Sequence, residues 1–281
     1  RFEMLLLEEN SVNDWWTLIK PGKSAKIGTE IILEKRKAES GKRKLSAVVT
    51  EINSEGHRRL RFSGAENIFS ELDELGEMPL PPYIERKIES PEDRERYQTV
   101  WAKHSGSVAA PTAGLHCTEK LLDAIRARGV KICFVTLHVG LGTFLPVKTE
   151  TPSEHKMHEE RFEIGAETVR AISEAKKSGH RVVAVGTTTV RVLESVAEQN
   201  AGKLNVHAGK TDIFIFPPFR FQIVDALLTN FHLPCSTLLM LISAFAAPGE
   251  TRGREMVLSA YAEAIRERYR FYSYGDAMLL L

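Results

Sequence analysis

The chain has 281 residues, of which 43% are hydrophobic and 27% are charged, and its formal net charge is +1. These values indicate a globular protein with one large domain, or with a large and a small one. No apolar run approaches the roughly 20 residues that span a bilayer, and three scattered cysteines are too few for a disulfide framework or a Cys-based zinc site. We expect a cytoplasmic protein, in which any polyanion would bind to a local basic patch.

Residues 1–75 are predicted to form a small β-barrel-like domain, because short apolar or alternating runs recur there between glycines. Positive charge is also concentrated in this part of the chain. These charges are either solvated hairpin ends or a surface that contacts phosphate groups. The residues in question are Lys35, Arg36, Lys37, Lys42, Arg43 and Lys44.

Residues 76–281 are predicted to form an α/β domain, in which a largely parallel sheet is covered by helices. A proline-stiffened connector, residues 78–84, begins it. Segments with helical and strand-like patterns then alternate, which favours parallel strands. Helices are predicted at 118–128, 167–178, 190–200, 236–247 and 254–268, and strands at 130–139, 181–185 and 211–216.

Residues 136–160 are the strongest candidate for a reactive site. An apolar strand ends there in a glycine loop at 140–142, and a titratable cluster follows that contains His155, His158 and Glu160. A strand, a glycine turn and titratable side chains often form a pocket at the end of a sheet, and histidine suits proton transfer near neutral pH. A solvated charge cluster and a metal site are the alternatives, although the spacing is not that of H-E-x-x-H.

Four further segments could contact a ligand. Residues 111–116 form a turn of small residues that ends in a histidine. The small residues permit close approach of the backbone to a ligand, or the turn is simply tight and its histidine is packed. Residues 186–191 join a glycine, three threonines and an arginine at a helix start, which is either an anion site or an N-cap. In residues 229–234, Asn230 and His232 can point to one side of an extended segment, where the histidine either contacts a ligand or is a structural residue with its polar groups satisfied. Residues 269–278 are dense in aromatics, which indicates packing or a pocket for a cationic or purine ligand.

Eight motifs occur in order along the chain. They are M-P-L-P-P-Y-I from Met78, R-Y-Q-T-V from Arg96, A-A-P-T-A-G-L-H from Ala109, T-L-H-V-G-x-G-T-F-x-P-V from Thr136, H-x-M-H-x-E from His155, V-G-T-T-x-V-R-x-L-E from Val185, T-N-F-H-L-P-x-S-T-L from Thr229 and Y-R-F-Y-S-Y-G-D-A-M from Tyr269. Together they closely resemble the S-adenosylmethionine:tRNA ribosyltransferase-isomerase family of queuosine biosynthesis. The resemblance covers the whole chain and is most specific over residues 78–278.

The resemblance implies an enzyme that moves the ribosyl part of S-adenosylmethionine onto 7-aminomethyl-7-deazaguanine at the tRNA wobble position. Epoxyqueuosine would form, and adenine and methionine would be released. S-adenosylmethionine is then a co-substrate, the tRNA is the partner, and no metal, prosthetic group or membrane is expected; we expect a monomer. The family fold is an α/β domain with an inserted small β-barrel. Family members usually carry an N-terminal segment before the region that matches Arg1, and any pocket wall that this segment supplies cannot be read from this sequence.

The resemblance and the chemistry of the donor assign roles to particular residues. The sulfonium acidifies the adjacent C–H, so a base is needed there, and adenine departure benefits from an acid. The catalytic candidates are His116, His158 and Glu160. The substrate-binding candidates are Thr112, Gly114, His138, Gly140, Gly142, Thr143, Phe144, His155, Gly186, Thr187, Thr188, Arg191, Asn230, His232, Tyr272, Tyr274 and Asp276. Thr187, Thr188 and Arg191 would bind the methionine carboxylate or a tRNA phosphate, and the basic residues between 35 and 44 would contact the tRNA. A metal-dependent hydrolase and a catalytically inactive RNA-binding relative are the rival interpretations.

Overall fold

The structure is a computed structural model that describes residues 1–33, 45–81, 83–84, 91–140, 147, 149 and 151–281. The chain divides into two compact units, Arg1–Arg94 and Glu95–Leu281. The domain boundary near residue 76 and the barrel-like closure of the first domain stay predictions. Across the described ranges, none of the helices combines the length and apolar character needed to cross a membrane.

The first unit contains a five-stranded antiparallel sheet. Its strands are β1 (Glu3–Ser11), β2 (Asp14–Lys20), β3 (Glu30–Leu33), β4 (Leu45–Ile52) and β5 (Arg58–Ser63), and a short helix, α1 (Leu72–Leu75), follows them. The order of the strands in the sheet is β1-β2-β5-β4-β3. Successive side chains of a strand point to opposite faces. One face therefore buries a core that includes Trp15, Ile19, Val49, Leu60 and Phe62.

A buried carboxylate ties β2 to β5. Asp14 is 2% exposed, and its oxygens accept hydrogen bonds from Nε of Arg59 at 2.7 Å and from Nη2 of Arg61 at 3.3 Å. The Arg59 hydrogen bond lowers the pKa of Asp14. The neighbouring Arg58 donates to the backbone oxygen of Ala25 at 3.2 Å. Arg58 and Arg59 are therefore held by groups within the sheet.

The second unit contains two three-stranded sheets and its own hydrophobic core. The remaining α-helices and strands are α2 (Pro91–Arg96), α3 (Glu119–Ala127), β6 (Val135–Leu137), β7 (Glu160–Ile164), α4 (Ala166–Lys177), β8 (Val183–Val185), α5 (Thr187–Gln199), β9 (His207–Thr211), β10 (Ala226–Asn230), α6 (Thr237–Ala246), α7 (Gly253–Arg266) and β11 (Ala277–Leu280). The strand orders of the two sheets are β6-β7-β9 and β11-β10-β8. The division of the chain into two units falls within the residues of α2.

The prediction of a largely parallel sheet covered by helices is wrong, because the sheets are small and mostly antiparallel. Among the described strands, the pairing of β8 with β10 is the parallel one. The connection from β10 to β11 contains two helices, and each helix reverses the chain direction, so β11 returns antiparallel. Strand β7 pairs antiparallel with both β6 and β9. Alternation of helix and strand therefore does not fix strand direction when helices come in pairs.

Helix α5 forms the centre of the second core. Nine of its 13 residues are buried, including the charged residues Arg191 and Glu194. The carboxylate of Glu194 accepts the backbone N–H groups of Gln222 at 2.8 Å and of Ile223 and Val224 at 3.0 Å each. Burial raises the pKa of Glu194, although these three hydrogen bonds oppose the shift. Glu194, the last residue of the V-G-T-T-x-V-R-x-L-E motif, thus holds the neighbouring loop at 222–224.

Candidate functional site

Asn230 lies at the end of β10 and connects three segments of the second unit. Its Oδ1 accepts a hydrogen bond from Oγ1 of Thr112 at 3.0 Å. Its Nδ2 lies 2.8 Å from Nε2 of His116 and donates to the backbone oxygen of Tyr272 at 3.3 Å. Asn230 itself is 2% exposed. Two segments that the sequence singled out separately, residues 111–116 and 229–234, therefore meet at one side chain.

This arrangement fixes the proton of His116. A carbonyl oxygen only accepts hydrogen bonds, so the oxygen of Tyr272 requires Nδ2 of Asn230, and not Oδ1, on its side. The same Nδ2 then donates to Nε2 of His116, which must be unprotonated. His116 is accordingly a neutral imidazole that carries its proton on Nδ1. Burial lowers the pKa of His116, which favours the same neutral form, while the charge of Asp276 acts in the opposite direction.

The loop after α7 places the Tyr272 carbonyl. Tyr272 has a left-handed backbone, with φ of 71°, and its N–H donates to the backbone oxygen of Phe231 at 3.0 Å. Asp276 closes the loop, because its Oδ2 accepts the Arg270 N–H at 2.7 Å and its Oδ1 accepts Nη2 of Arg270 at 2.7 Å. The Arg270 hydrogen bond lowers the pKa of Asp276. A Cβ on Gly275 would lie 2.5 Å from the backbone oxygen of Phe271, so this position accepts only glycine.

Tyr274 and Ser273 attach the same loop to Tyr97. The hydroxyl groups of Tyr97 and Ser273 are 3.1 Å apart, and both residues are buried. The rings of Tyr97 and Tyr274 meet edge to face with their centroids 5.5 Å apart. The R-Y-Q-T-V and Y-R-F-Y-S-Y-G-D-A-M motifs therefore pack against each other.

A second polar group surrounds a buried ion pair. Glu160, the first residue of β7, pairs with Nη1 of Arg191 on α5, and the side chains are 2% and 5% exposed. Oε1 of Glu160 also accepts the N–H of Gly140 at 2.9 Å, and Nε of Arg191 donates to the oxygen of Ile213 at 3.4 Å. Glu160 therefore lies inside the protein, where it orients Arg191 and the start of the glycine loop.

The two histidines that precede β7 lie in different surroundings. His158 is exposed. His155 is half-buried, and its ring meets that of Phe214 with centroids 5.2 Å apart. Among the described residues, no group of three or more His, Cys, Asp or Glu side chains is placed to hold a metal ion.

Two predicted contact residues have mainly structural environments. His232 is 9% exposed, and its Nε2 lies 2.9 Å from Oγ1 of Thr229. Its backbone N–H donates to the Tyr261 hydroxyl at 2.7 Å, and burial lowers the pKa of His232 to about 4. A Cβ on Gly114 would lie 2.6 Å from Cγ2 of Thr99, so this glycine permits close packing of the turn.

The other predicted residues are distributed around these groups. His138 follows β6, and its Nδ1 is buried without a hydrogen-bond partner among the described groups. Gly186 adopts φ of 88° at the start of α5, where Thr187 is buried and Thr188 half-buried. The roles proposed for all of these residues stay predictions. Gly142, Thr143 and Phe144 lie outside the described residues, as do Lys35, Arg36, Lys37, Lys42, Arg43 and Lys44.

Sequence reasoning missed two residues of the site. Arg270, which closes the C-terminal loop through Asp276, lies in a recognised motif but was not singled out. Thr237, the first residue of α6, lies in the motif that begins at Thr229, and its Oγ1 is buried without a described partner. Both are polar residues of a recognised motif, but only their neighbours in the folded structure distinguish them from the other polar residues of these motifs.

Comparison with known proteins agrees with the motifs. The chain matches the family described as "Queuosine biosynthesis protein" over residues 1–280. The S-adenosylmethionine:tRNA ribosyltransferase-isomerase of Caldanaerobacter subterraneus subsp. tengcongensis is 50% identical over 282 residues, which cover 100% of this chain and 77% of that protein. A crystal structure of S-adenosylmethionine tRNA ribosyltransferase from Thermotoga maritima is 35% identical, covers 100% of this chain and 75% of that chain, and gives a TM-score of 0.49.

The class is therefore that of a transferase-isomerase enzyme. The chain belongs to the queuosine biosynthesis protein family, which confirms the resemblance inferred from the eight motifs.

Proposed function

We propose that this enzyme transfers and isomerises the ribosyl moiety of S-adenosylmethionine onto 7-aminomethyl-7-deazaguanine at the wobble position of tRNA. The products are epoxyqueuosine in the tRNA, free adenine and free methionine. The observation that carries the proposal is the 50% identity, along the whole chain, to a protein named S-adenosylmethionine:tRNA ribosyltransferase-isomerase. We place this activity in the cytoplasm and in a monomer.

The donor defines what the site must do. Its sulfonium acidifies the neighbouring C–H, so a base removes a proton there, and the departing adenine is helped by a proton donor. His158 is the candidate base, because its imidazole is exposed to an incoming ligand. His116 has its Nε2 occupied by Asn230. We therefore assign His116 to positioning, as a donor from Nδ1 to a substrate oxygen or nitrogen.

The remaining candidates bind the two substrates. The loop that contains Tyr272 and Tyr274, together with Phe144, would supply aromatic faces to the purine or to the sulfonium, since aromatic rings attract cations. The basic residues between Lys35 and Lys44 would contact the tRNA backbone, because lysine and arginine neutralise phosphates. Glu160 is assigned to orientation of Arg191, because a buried, paired carboxylate is poorly placed to exchange protons with a ligand.

Adenine release is the experiment that tests the proposal. The protein is incubated with S-adenosylmethionine and with tRNA that carries the deazaguanine base, and adenine is quantified by chromatography. We expect release with this tRNA and none with tRNA that carries guanine at the same position. Release that does not depend on the modified base would contradict the assignment of the acceptor, and no release would contradict the activity.

A further inference from the structure

A small cleft in the second unit borders the buried ion pair, and its empty space, which includes open solvent, amounts to about 240 Å³. Its walls combine apolar side chains with two polar ones. The lining residues are Met157, Arg191, Ile213, Phe214, Ile215, Thr237, Leu238 and Leu241. Such a mixture of mostly apolar walls with a few convergent polar groups is typical of a small-molecule site.

The two polar residues of this cavity have unsatisfied hydrogen-bonding atoms. Nη2 of Arg191 and Oγ1 of Thr237 are buried and have no partner among the described residues, and both residues are 4% exposed. The guanidinium of Arg191 cannot turn to find one, because Glu160 holds Nη1 and the oxygen of Ile213 holds Nε. Buried polar atoms are normally hydrogen-bonded, so these two atoms indicate a ligand that brings acceptor atoms.

The electrostatics of the cavity favour an anionic acceptor. Thr237 is the first residue of α6, a ten-residue helix. Ser236 caps this helix by accepting the Leu239 N–H at 3.1 Å, whereas the N–H groups of the first helical residues have no partner within a helix. The positive end of the helix dipole and the Nη2 hydrogens of Arg191 thus face the same small space.

The shape of the cavity distinguishes between anions. A tRNA phosphate would arrive with a bulky, hydrated backbone, whereas this site is small and its walls are mainly aliphatic. A carboxylate at the end of a slender chain fits this space better, because its oxygens would supply the acceptors that Arg191 and Thr237 lack.

Helix α5 connects this cavity to the site around Asn230. Gly186 precedes α5 and lies against Ala113 in the Thr112–His116 turn, where an added Cβ would be 3.6 Å from the Ala113 side chain. Arg191 follows five residues later, an axial rise of roughly 7.5 Å. One extended ligand could therefore have its carboxylate beside Arg191 and its other end near His116.

From these observations we infer that Arg191 and Thr237 bind the α-carboxylate of the methionine part of S-adenosylmethionine. This inference rests on the proposed function and adds to it a carboxylate subsite and a residue, Thr237, that discriminates between donors. Glu160 keeps Arg191 in place for this contact.

The test compares the binding of S-adenosylmethionine and of its decarboxylated analogue by calorimetry. The variants are Thr237→Val, which removes only the hydroxyl, and Arg191→Lys, which keeps the charge near Glu160 but loses Nη2. Ser243→Ala is the matched control, because it removes a buried hydroxyl of the same helix that bonds to the Leu239 oxygen at 2.7 Å. Thermal unfolding checks that every variant is folded.

We expect the wild type to bind S-adenosylmethionine about 10-fold or more tightly than the analogue. Thr237→Val and Arg191→Lys should weaken binding of S-adenosylmethionine by about 5-fold or more and leave the Kd of the analogue unchanged, while Ser243→Ala changes neither. Equal Kd values for the two donors in the wild type, or equal losses for both donors in the variants, would overturn the inference and leave only a water in the cavity. If adenine is still released in that case, the proposed function stands; if no donor binds and no adenine is released, both fall.

Discussion

The side-chain amide of Asn230 donates a 2.8 Å hydrogen bond to Nε2 of His116, although the two residues are 114 positions apart in the chain. The Tyr272 carbonyl fixes the orientation of this amide. The protonation state of His116 is thus set by a backbone oxygen of a third segment, and each member of the group can be tested by what it does to the imidazole.

Asn230→Asp should reverse the proton preference of His116. A carboxylate accepts hydrogen bonds and stabilises a positive charge, so the pKa of His116 should rise and Nε2 should become protonated. We expect turnover to fall by about 100-fold, because a neutral imidazole with its proton on Nε2 has no hydrogen on Nδ1 to donate to the substrate. Histidine NMR titration measures the pKa directly. Asn205→Asp, an exposed substitution, is the control and should leave the titration of His116 as it is; an unchanged pKa in Asn230→Asp would contradict the assigned tautomer.

His158→Ala should lower turnover by about 100-fold or more, which is typical for a lost acid or base. Donor binding should stay nearly intact, because the base acts on a proton and does not hold the donor. Single-turnover adenine release and calorimetry measure the two effects separately. His180→Ala removes another exposed histidine and should have no effect. Full turnover in His158→Ala would remove this residue from the mechanism.

His232 should make the protein less stable in mild acid. Burial lowers its pKa from 6.5 to about 4 in the folded state, so between these values the unfolded chain binds a proton that the folded one does not. The stabilisation is complete above pH 6.5 and is lost as the pH falls towards 4, by roughly 3 kcal/mol in all. Urea unfolding from pH 7.5 to pH 4.5 measures it. His232→Gln should flatten this dependence relative to wild type, and His180→Gln should not; equal slopes in all three proteins would refute the prediction.

Glu194→Gln should destabilise the second unit by about 1–3 kcal/mol, because an amide nitrogen replaces one acceptor and leaves a buried N–H unsatisfied. The affected donors are the backbone amides at 222–224. Glu198→Gln is a matched control, since Glu198 is exposed on the same helix. Denaturant unfolding of the two variants should differ clearly, and similar midpoints would show that the three hydrogen bonds contribute little.

The triple change Lys35/Arg36/Lys37→Ala should weaken tRNA binding and reduce its dependence on salt. Each lost phosphate contact lowers the slope of log K against log salt by about 0.7–0.9. Filter binding over a series of salt concentrations measures both quantities. Lys120/Arg128/Lys203→Ala removes the same charge from exposed positions elsewhere. If this control loses as much affinity, the effect is one of net charge and the assigned surface is wrong.

Much of the candidate site could be found from the sequence, because its polar residues lie in short motifs at the ends of strands and helices. The segments that hold His116, Asn230, Tyr272 and Arg191 were all identified. Their mutual contacts were not, since these depend on pairs separated by 31 to 118 positions, such as Arg191 with Glu160 and Asn230 with Thr112. Glu160 was a catalytic candidate in the same titratable cluster as His158, and the sequence did not show that the alternating burial of β7 turns Glu160 inwards.

The sheet was harder to predict than the site. Strands β6 and β8 have only three residues each, too few for a period-2 pattern to be distinguished from any short apolar run. The relative direction of two strands depends on how many times the connection between them reverses the chain. A local sequence pattern does not show this number. A strand was predicted at 211–216, but β9 lies at His207–Thr211. The apolar residues Ile213 and Ile215, which follow β9, are buried in the core.

Helix α5 will tolerate few substitutions. Nine of its 13 residues are buried, so it has almost no face on which a random replacement is harmless. Along the helix, residues that pack in the core are interspersed with Arg191, which forms the ion pair, and Glu194, which holds the loop at 222–224. Helix α3, with Leu122 as its one buried residue, presents the opposite case. In a saturation library we expect α5 to lose most of its variants and α3 to keep them, so directed evolution of this enzyme has to work around α5.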